Sequence, residues 1–207
     1  MSGREQPSLG EPAGALAGFP VWHVLAGATT YRVGRTGNGP WWFSSDGTGR
    51  FDLEQPSGTC YLADEPVVAL LEAIGPRLGP VVEASTFDDR VLWTLRLPRQ
   101  CDAADATHRS ARRFGVTAEL ATIVPYGLPQ RWARAIANGG FGGLRYRSRH
   151  DTAGGRCLAL FGPAGERRSW KRGRPVAVGP IVADLLAPAG IAVVAPPAST
   201  ELAPALD

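Results

Sequence analysis

Lysine is almost missing from this chain of 207 residues: Lys171 stands alone, and the rest of its 22 basic residues are arginine. Arginine's planar fork grips carboxylate and phosphate through two parallel hydrogen bonds, which an ammonium cannot do. The net charge is only +3, so this balance fits an anionic ligand and does not call for nucleic acid. Cysteine is also sparse. Cys60, Cys101 and Cys157 are odd in number and widely spaced, which argues against a disulfide framework or a paired-cysteine zinc site. His23, His108 and His150 lack metal-ligand spacing and read as loop or surface residues. No apolar run approaches the roughly 18 residues of a membrane span. No GxSxG surrounds any serine, so a serine nucleophile of that kind has little support. There is no internal repeat.

Glycine (26) and proline (18) are plentiful instead. They point to short elements joined by many loops. A chain of this length suits a single domain able to bury roughly 70% of its unfolded surface. The expected plan is a loose arm over residues 1–18, one domain over 19–194 and a disordered tail over 195–207. The first residues, MSGREQPSLGEPAG, show no basic stretch followed by an apolar core. A cytoplasmic protein with reduced thiols and no membrane partner is expected.

Along the chain, Thr29–Val33, Thr59–Ala63 and Val91–Leu97 read as strands. Asp64 is a plausible N-cap, and Pro66 suits the first turn of the helix that follows. In that helix Val67, Leu70, Leu71 and Ile74 follow the i, i+3, i+4, i+7 rule, and Gly75–Pro76 ends it. Thr117 can cap a short helix through Val124. Residues 130–138 form another, closed by Gly139 and Gly140. Gly143–Ser148 and Arg156–Phe161 look like paired strands. Pro175–Val178 reads as a further strand and Val182–Leu186 as a last helix. Strands and helices do not alternate regularly, so the class is α+β.

Three polar residues fall eleven apart in different local settings: Arg50 after a glycine-rich turn, Tyr61 in a strand and Glu72 on a helix. Each has a bland reading. Arg50 is a turn residue, Tyr61 a half-buried core tyrosine, and Glu72 a solvated residue away from the helix's apolar stripe. Together a guanidinium, a phenol and a carboxylate would suit a phosphorylated ribosyl substrate. Ser148 shares a strand face with Leu144 and Tyr146, while Arg145, Arg147 and Arg149 share the other. The glycines of NGGFGGL (138–144) follow a helix rather than open one, so they read as a helix end and not as a phosphate loop. The basic run RRSWKRGR (167–174) reads as a solvated loop, with nucleic-acid contact the weaker alternative.

In this order the residues resemble the RES domain family, named for an arginine, a glutamate and a serine. The likeness runs through YRVGR (31–35), GRFD (49–52), YLADEPVVALLE (61–72), RYRS (145–148) and RCLALFG (156–162). At Phe51 and Asp52 this chain departs from the family's usual Trp-Asn. The resemblance implies an ADP-ribosyltransferase-like α+β fold, with small mixed or antiparallel sheets and short helices around an NAD-sized cleft. It implies the toxin of a bacterial toxin–antitoxin pair, which consumes NAD by cleaving the nicotinamide–ribose bond with phosphate or water as acceptor. NAD is then substrate rather than cofactor, inorganic phosphate a co-substrate, and no metal is required. Carried over by position, Arg32 and Arg50 would hold the diphosphate, Tyr61 the nicotinamide end, Glu72 the ribose and its developing charge, and Ser148 the ribose or the incoming phosphate. The expected partner is a small helical antitoxin, and assembly of several copies stays open. Transfer of ADP-ribose to a macromolecule, or a non-catalytic interaction module using the basic 145–174 region, are the competing readings.

Overall fold

A computed structural model of the chain describes residues 8–195 other than 13, 15 and 78. In chain order its first elements are β1 (Val21–Val24), β2 (Thr29–Arg35), β3 (Trp42–Phe43), β4 (Ser57–Ala63), α1 (Pro66–Ile74), β5 (Val81–Glu83) and β6 (Arg90–Arg96). Then come β7 (Cys101–Asp105), α2 (Gly127–Asn138), β8 (Gly143–Arg147), β9 (Arg156–Pro163), β10 (Gly165–Glu166), β11 (Pro175–Ala177), α3 (Val182–Leu186) and β12 (Ala192–Val194). Short 3-10 turns fill several connections. The fold is α+β. Its strands gather into one eight-stranded sheet, ordered β1-β7-β8-β9-β4-β2-β6-β11, beside two small pairings, β10-β3 and β12-β5.

Within the large sheet β7 and β8 run parallel, and the other neighbours are antiparallel. The expected pairing of the two strands flanking residue 150 is present, with Tyr146 opposite Cys157. The β2–β4 junction differs from the rest. These strands share a single bridge, Tyr31 with Ala63, whereas β2 matches β6 over seven residues and β4 matches β9 over seven. Below that bridge β4 turns to a different neighbour, with Thr59 opposite Ser44.

Both faces of the sheet are covered. On one, Val33, Ala63, Leu144 and Ala159 pack with Leu70, Leu71 and Ile74 of α1, Trp132 and Ile136 of α2, and Leu186 of α3. On the other, Cys60, Leu62, Trp93, Leu95, Leu158 and Leu160 lie under Trp41 and Phe43. Trp170 meets Trp41 and Phe43 edge-on, at 5.1 and 5.8 Å between centroids. The basic 167–174 loop is thus pinned by its tryptophan, while Arg168, Lys171, Arg172 and Arg174 remain exposed.

Helix α1 starts at Pro66 as expected, but Glu65 rather than Asp64 holds the N-cap, without a side-chain bond. Asp64 instead accepts from the Arg156 amide at 3.1 Å. Thr117 does cap a turn, yet only a 3-10 turn over Ala118–Ala121. Gly139 closes α2 as read, its amide bonding the Ala135 carbonyl. The expectation of a loose arm through residue 18 does not hold at Leu9, Glu11 and Leu16. Leu9 and Leu16 are buried, the Leu9 amide donates to Glu119 at 2.7 Å, and Glu11 pairs with Arg131 at 2.6 Å. Residues 1–7, and the tail from 196 on, lie outside the described residues. Among the described residues no helix is long and apolar enough to cross a membrane.

Candidate active site

The turn before β4 is organised by a buried carboxylate. Asp52 accepts from the Gly49 amide at 2.9 Å, the Ser44 hydroxyl at 3.0 Å and the Tyr61 hydroxyl at 2.8 Å. The Tyr61 oxygen accepts in return from the Phe51 amide at 2.9 Å. From α2, the Gln130 amide group donates to the Gly47 and Gly49 carbonyls. Burial, and then Asp52, push the Tyr61 phenol well above its ordinary range, so it stays a neutral donor. Gly49 is bare because a Cβ there would strike Asp52 Oδ1 and the Tyr61 hydroxyl. Gly49→Ala should therefore cost about 1–3 kcal/mol, as overpacking does. An unchanged denaturation midpoint would mean the turn relaxes around the methyl group.

This turn delivers Arg50 inward, where only 9% of it is exposed. One guanidinium nitrogen donates to the Ile123 carbonyl at 2.6 Å, and the group lies 4.5 Å from the centre of the Tyr126 ring. Its Nη2 is buried with no hydrogen-bond partner among the described residues. Burial and then Arg149 lower its pKa, while Tyr126, Tyr146 and Glu72 partly restore it. Arginine begins so high that the charge is retained.

Glu72 projects from α1 to meet Ser148, just past β8. The Ser148 hydroxyl donates to Glu72 Oε1 at 2.6 Å and accepts from the His150 amide at 3.1 Å. Glu72 also borders a small cavity of about 120 Å³ with Tyr31, Tyr61 and Tyr146. Across Tyr146 and Ser148 lies a cleft of about 900 Å³, which Arg109, Arg112, Arg147 and Arg149 also line. That is within the range of small-molecule sites, roughly 300–1,000 Å³. The Tyr146 ring between the two spaces is braced edge-on by Phe51 at 4.8 Å.

The RES domain family matches residues 21–177. This chain belongs to that family. Among solved structures it is similar to a chain of the M. tuberculosis MbcT–MbcA toxin–antitoxin complex, with a TM-score of 0.59 and 18% identity. That match covers 80% of this chain and 90% of the other, and likeness at this identity shows a shared fold. No curated protein matches the chain.

Of the residues singled out in the sequence, this RES domain brings Arg50, Tyr61, Glu72 and Ser148 to one neighbourhood. Arg32 borders the same small cavity, but its charged group is placed elsewhere. Its guanidinium reaches the Pro40 and Trp42 carbonyls at 2.8 and 3.0 Å and the Cys60 sulfur, on the face of the sheet opposite α1. The reason is the two-residue period of a strand: Tyr31 and Val33 face α1, so Arg32 faces away. There it bridges the gap in which β2 and β4 part. Arg32→Met should lower stability by about 1.5–3 kcal/mol, the usual range for hydrogen bonds from a charged donor. Chemical denaturation checks this, and a smaller loss would mean those carbonyls find other donors.

Glu72 is half-buried rather than idle on the surface. Val68, not Val67, completes the buried side of α1. Asp52, Tyr146, Arg149 and His150 were not singled out for this site. The last three flank Ser148 in sequence, and that proximity was the available signal. His23 and His108 are exposed as expected, but His150 is half-buried beside Ser148. Among the described residues no group of three or more His, Cys, Asp or Glu could hold a metal ion.

Proposed function

We propose that this RES domain cleaves the nicotinamide–ribose bond of NAD, with phosphate or water as acceptor, as the toxin of a toxin–antitoxin pair. The supporting observation is the Glu72–Ser148 pair, set between a tyrosine-lined cavity and an arginine-lined cleft. As the C–N bond breaks, its electron pair leaves with nicotinamide, which departs neutral. No general acid is needed for that departure. Positive charge develops on the ribose as in glycoside cleavage. Glu72 stabilises that charge and accepts from a ribose hydroxyl. The acceptor oxygen then bonds the anomeric carbon; an attacking water passes its extra proton to solvent, whereas a phosphate attacks through an oxyanion and has none to lose.

Ser148 is already oriented towards Glu72 and can hydrogen-bond the ribose or an incoming phosphate. The hydroxyl of Tyr61 is committed to Asp52, so its ring is the part that holds the nicotinamide end. Arg112, Arg147 and Arg149 give the cleft the charge a diphosphate requires, and the Arg50 Nη2, without a partner among the described residues, is left to donate a hydrogen bond to the ligand. Arg50→Lys retains charge but loses the planar fork. It should raise the KM for NAD roughly tenfold, about the effect of one weakened charged hydrogen bond. An unchanged KM would remove Arg50 from NAD binding.

Incubation with NAD, with and without phosphate, tests the proposal by the mass of the products. Phosphate as acceptor yields phosphorylated ADP-ribose, and water yields ADP-ribose. A labelled macromolecule would make the protein a transferase, and undiminished NAD would overturn the reading. The family resemblance and the toxin–antitoxin complex that shares this fold support a small helical antitoxin as partner.

A further inference from the structure

We infer that His150, neutral and protonated on Nδ1, is a positioning residue that fixes Arg149 and Ser148 relative to Glu72. Three contacts carry this. The Arg149 Nε–H donates to His150 Nε2 at 3.0 Å. A guanidinium can only donate, so Nε2 must present its lone pair, and the ring proton sits on Nδ1. The His150 amide occupies a lone pair of the Ser148 oxygen at 3.1 Å, and the Ser148 hydrogen points to Glu72. Finally, the imidazole is seated on Gly75, where an added Cβ would overlap its ring atoms. Gly75 caps α1, three residues beyond Glu72. One side chain therefore touches the cleft arginine, its amide holds the serine, and its ring bears on the helix that carries the glutamate.

The arrangement holds only while the ring is neutral. A proton on Nε2 would turn two donors against each other and place a third positive charge beside Arg149 and Arg50. The charged groups facing the ring are Glu72 on α1, Arg50 on the turn and Arg149 on its own segment. Burial lowers the imidazole's pKa most, both arginines act in the same direction, and Glu72 opposes them. The folded ring is thus neutral at neutral pH. Below the ordinary histidine value of 6.5, the unfolded chain takes up a proton that the folded one resists. The stability this histidine provides at neutral pH is accordingly lost as pH falls through that window.

The kinetic arm of the test rests on the NAD reaction proposed above, and the spectroscopic arm does not. In the wild type, the KM for NAD should stay level above the ordinary histidine value of 6.5 and rise as pH falls below it, where the folded ring takes up its proton. His150→Gln offers Arg149 an acceptor that does not titrate, so that rise should flatten. His150→Ala should raise KM roughly tenfold at neutral pH, as loss of one charged hydrogen bond does, with a smaller change in kcat and a smaller difference at low pH, where the wild type has itself lost that bond. Identical pH profiles for wild type and His150→Gln, or a wild-type KM for His150→Ala, would overturn the inference. Imidazole nitrogen NMR, assigned by the signal missing in His150→Gln, should show Nδ1 protonated and Nε2 bare. A spectrum dominated by Nε2–H would also overturn it. If no form consumes NAD, the functional proposal fails, and the nitrogen spectrum still decides the role of the histidine.

Discussion

Glu72→Gln should lower NAD turnover by on the order of 10² to 10³, the usual cost of removing one preorganised electrostatic contact. The substitution separates charge from shape. A glutamine at this position still offers Ser148 a carbonyl oxygen in place of Oε1, so the 2.6 Å hydrogen bond has an acceptor. What disappears is the negative charge beside the ribose. The loss should fall on kcat, because the charge matters most when the ribose is cationic. Thermal unfolding should be nearly unchanged. A variant that consumed NAD at the parent rate would remove Glu72 from the chemistry, and one that failed to fold would make the residue structural.

Trp132→Ala should destabilise the protein by about 3–5 kcal/mol, the range for emptying a large aromatic site. Trp132 is wholly buried in the α2 face of the core. Its indole N–H donates to the Gly10 carbonyl at 2.9 Å, one residue from the Glu11–Arg131 pair. The cavity and the lost hydrogen bond both count against the variant. Trp132→Phe retains most of the apolar contact and should cost far less, near the ~1 kcal/mol of a single hydrogen bond. Equilibrium denaturation of both variants measures the difference. A loss below about 1 kcal/mol for Trp132→Ala would show that the site collapses onto its neighbours.

The elements that the sequence made legible are those with a strong period or punctuation. Pro66 and Gly75 bracket α1, and paired glycines close α2. Strand β7 escaped because the sheet is covered on both faces there, and β1 because it is a four-residue edge strand that is mostly exposed. Ala103 and Ala104 are both fully buried, so no polar–apolar alternation marks β7. Strands β5 and β12 have three residues each, too few to show a period. At the site, Arg50, Tyr61, Glu72 and Ser148 could be named from motif order. Arg32 could not be assigned a side, since a strand's period says which residues share a face but not which face holds the cleft. Asp52 was noticed only as a departure, yet it accepts hydrogen bonds from the very turn that presents Arg50. Its role depends on how the chain from Ser44 to Tyr61 folds back on itself to bring three donors to one carboxylate, which no periodic pattern records.

The single bridge between Tyr31 and Ala63 divides the hydrogen-bond ladder into two blocks. One runs from β1 to β4, and the other comprises β2, β6 and β11. Backbone amides within each block are locked by long pairings, whereas those facing the seam are held by few. Opening there breaks little of either ladder, so the two blocks are natural units of local unfolding. Tyr31 and Tyr61 stand on opposite banks of that seam and line the small cavity beside Glu72. Amide hydrogen exchange should therefore be faster along the β2–β4 border than at the other interior junctions of the large sheet, and a ligand that spans both banks should slow it most.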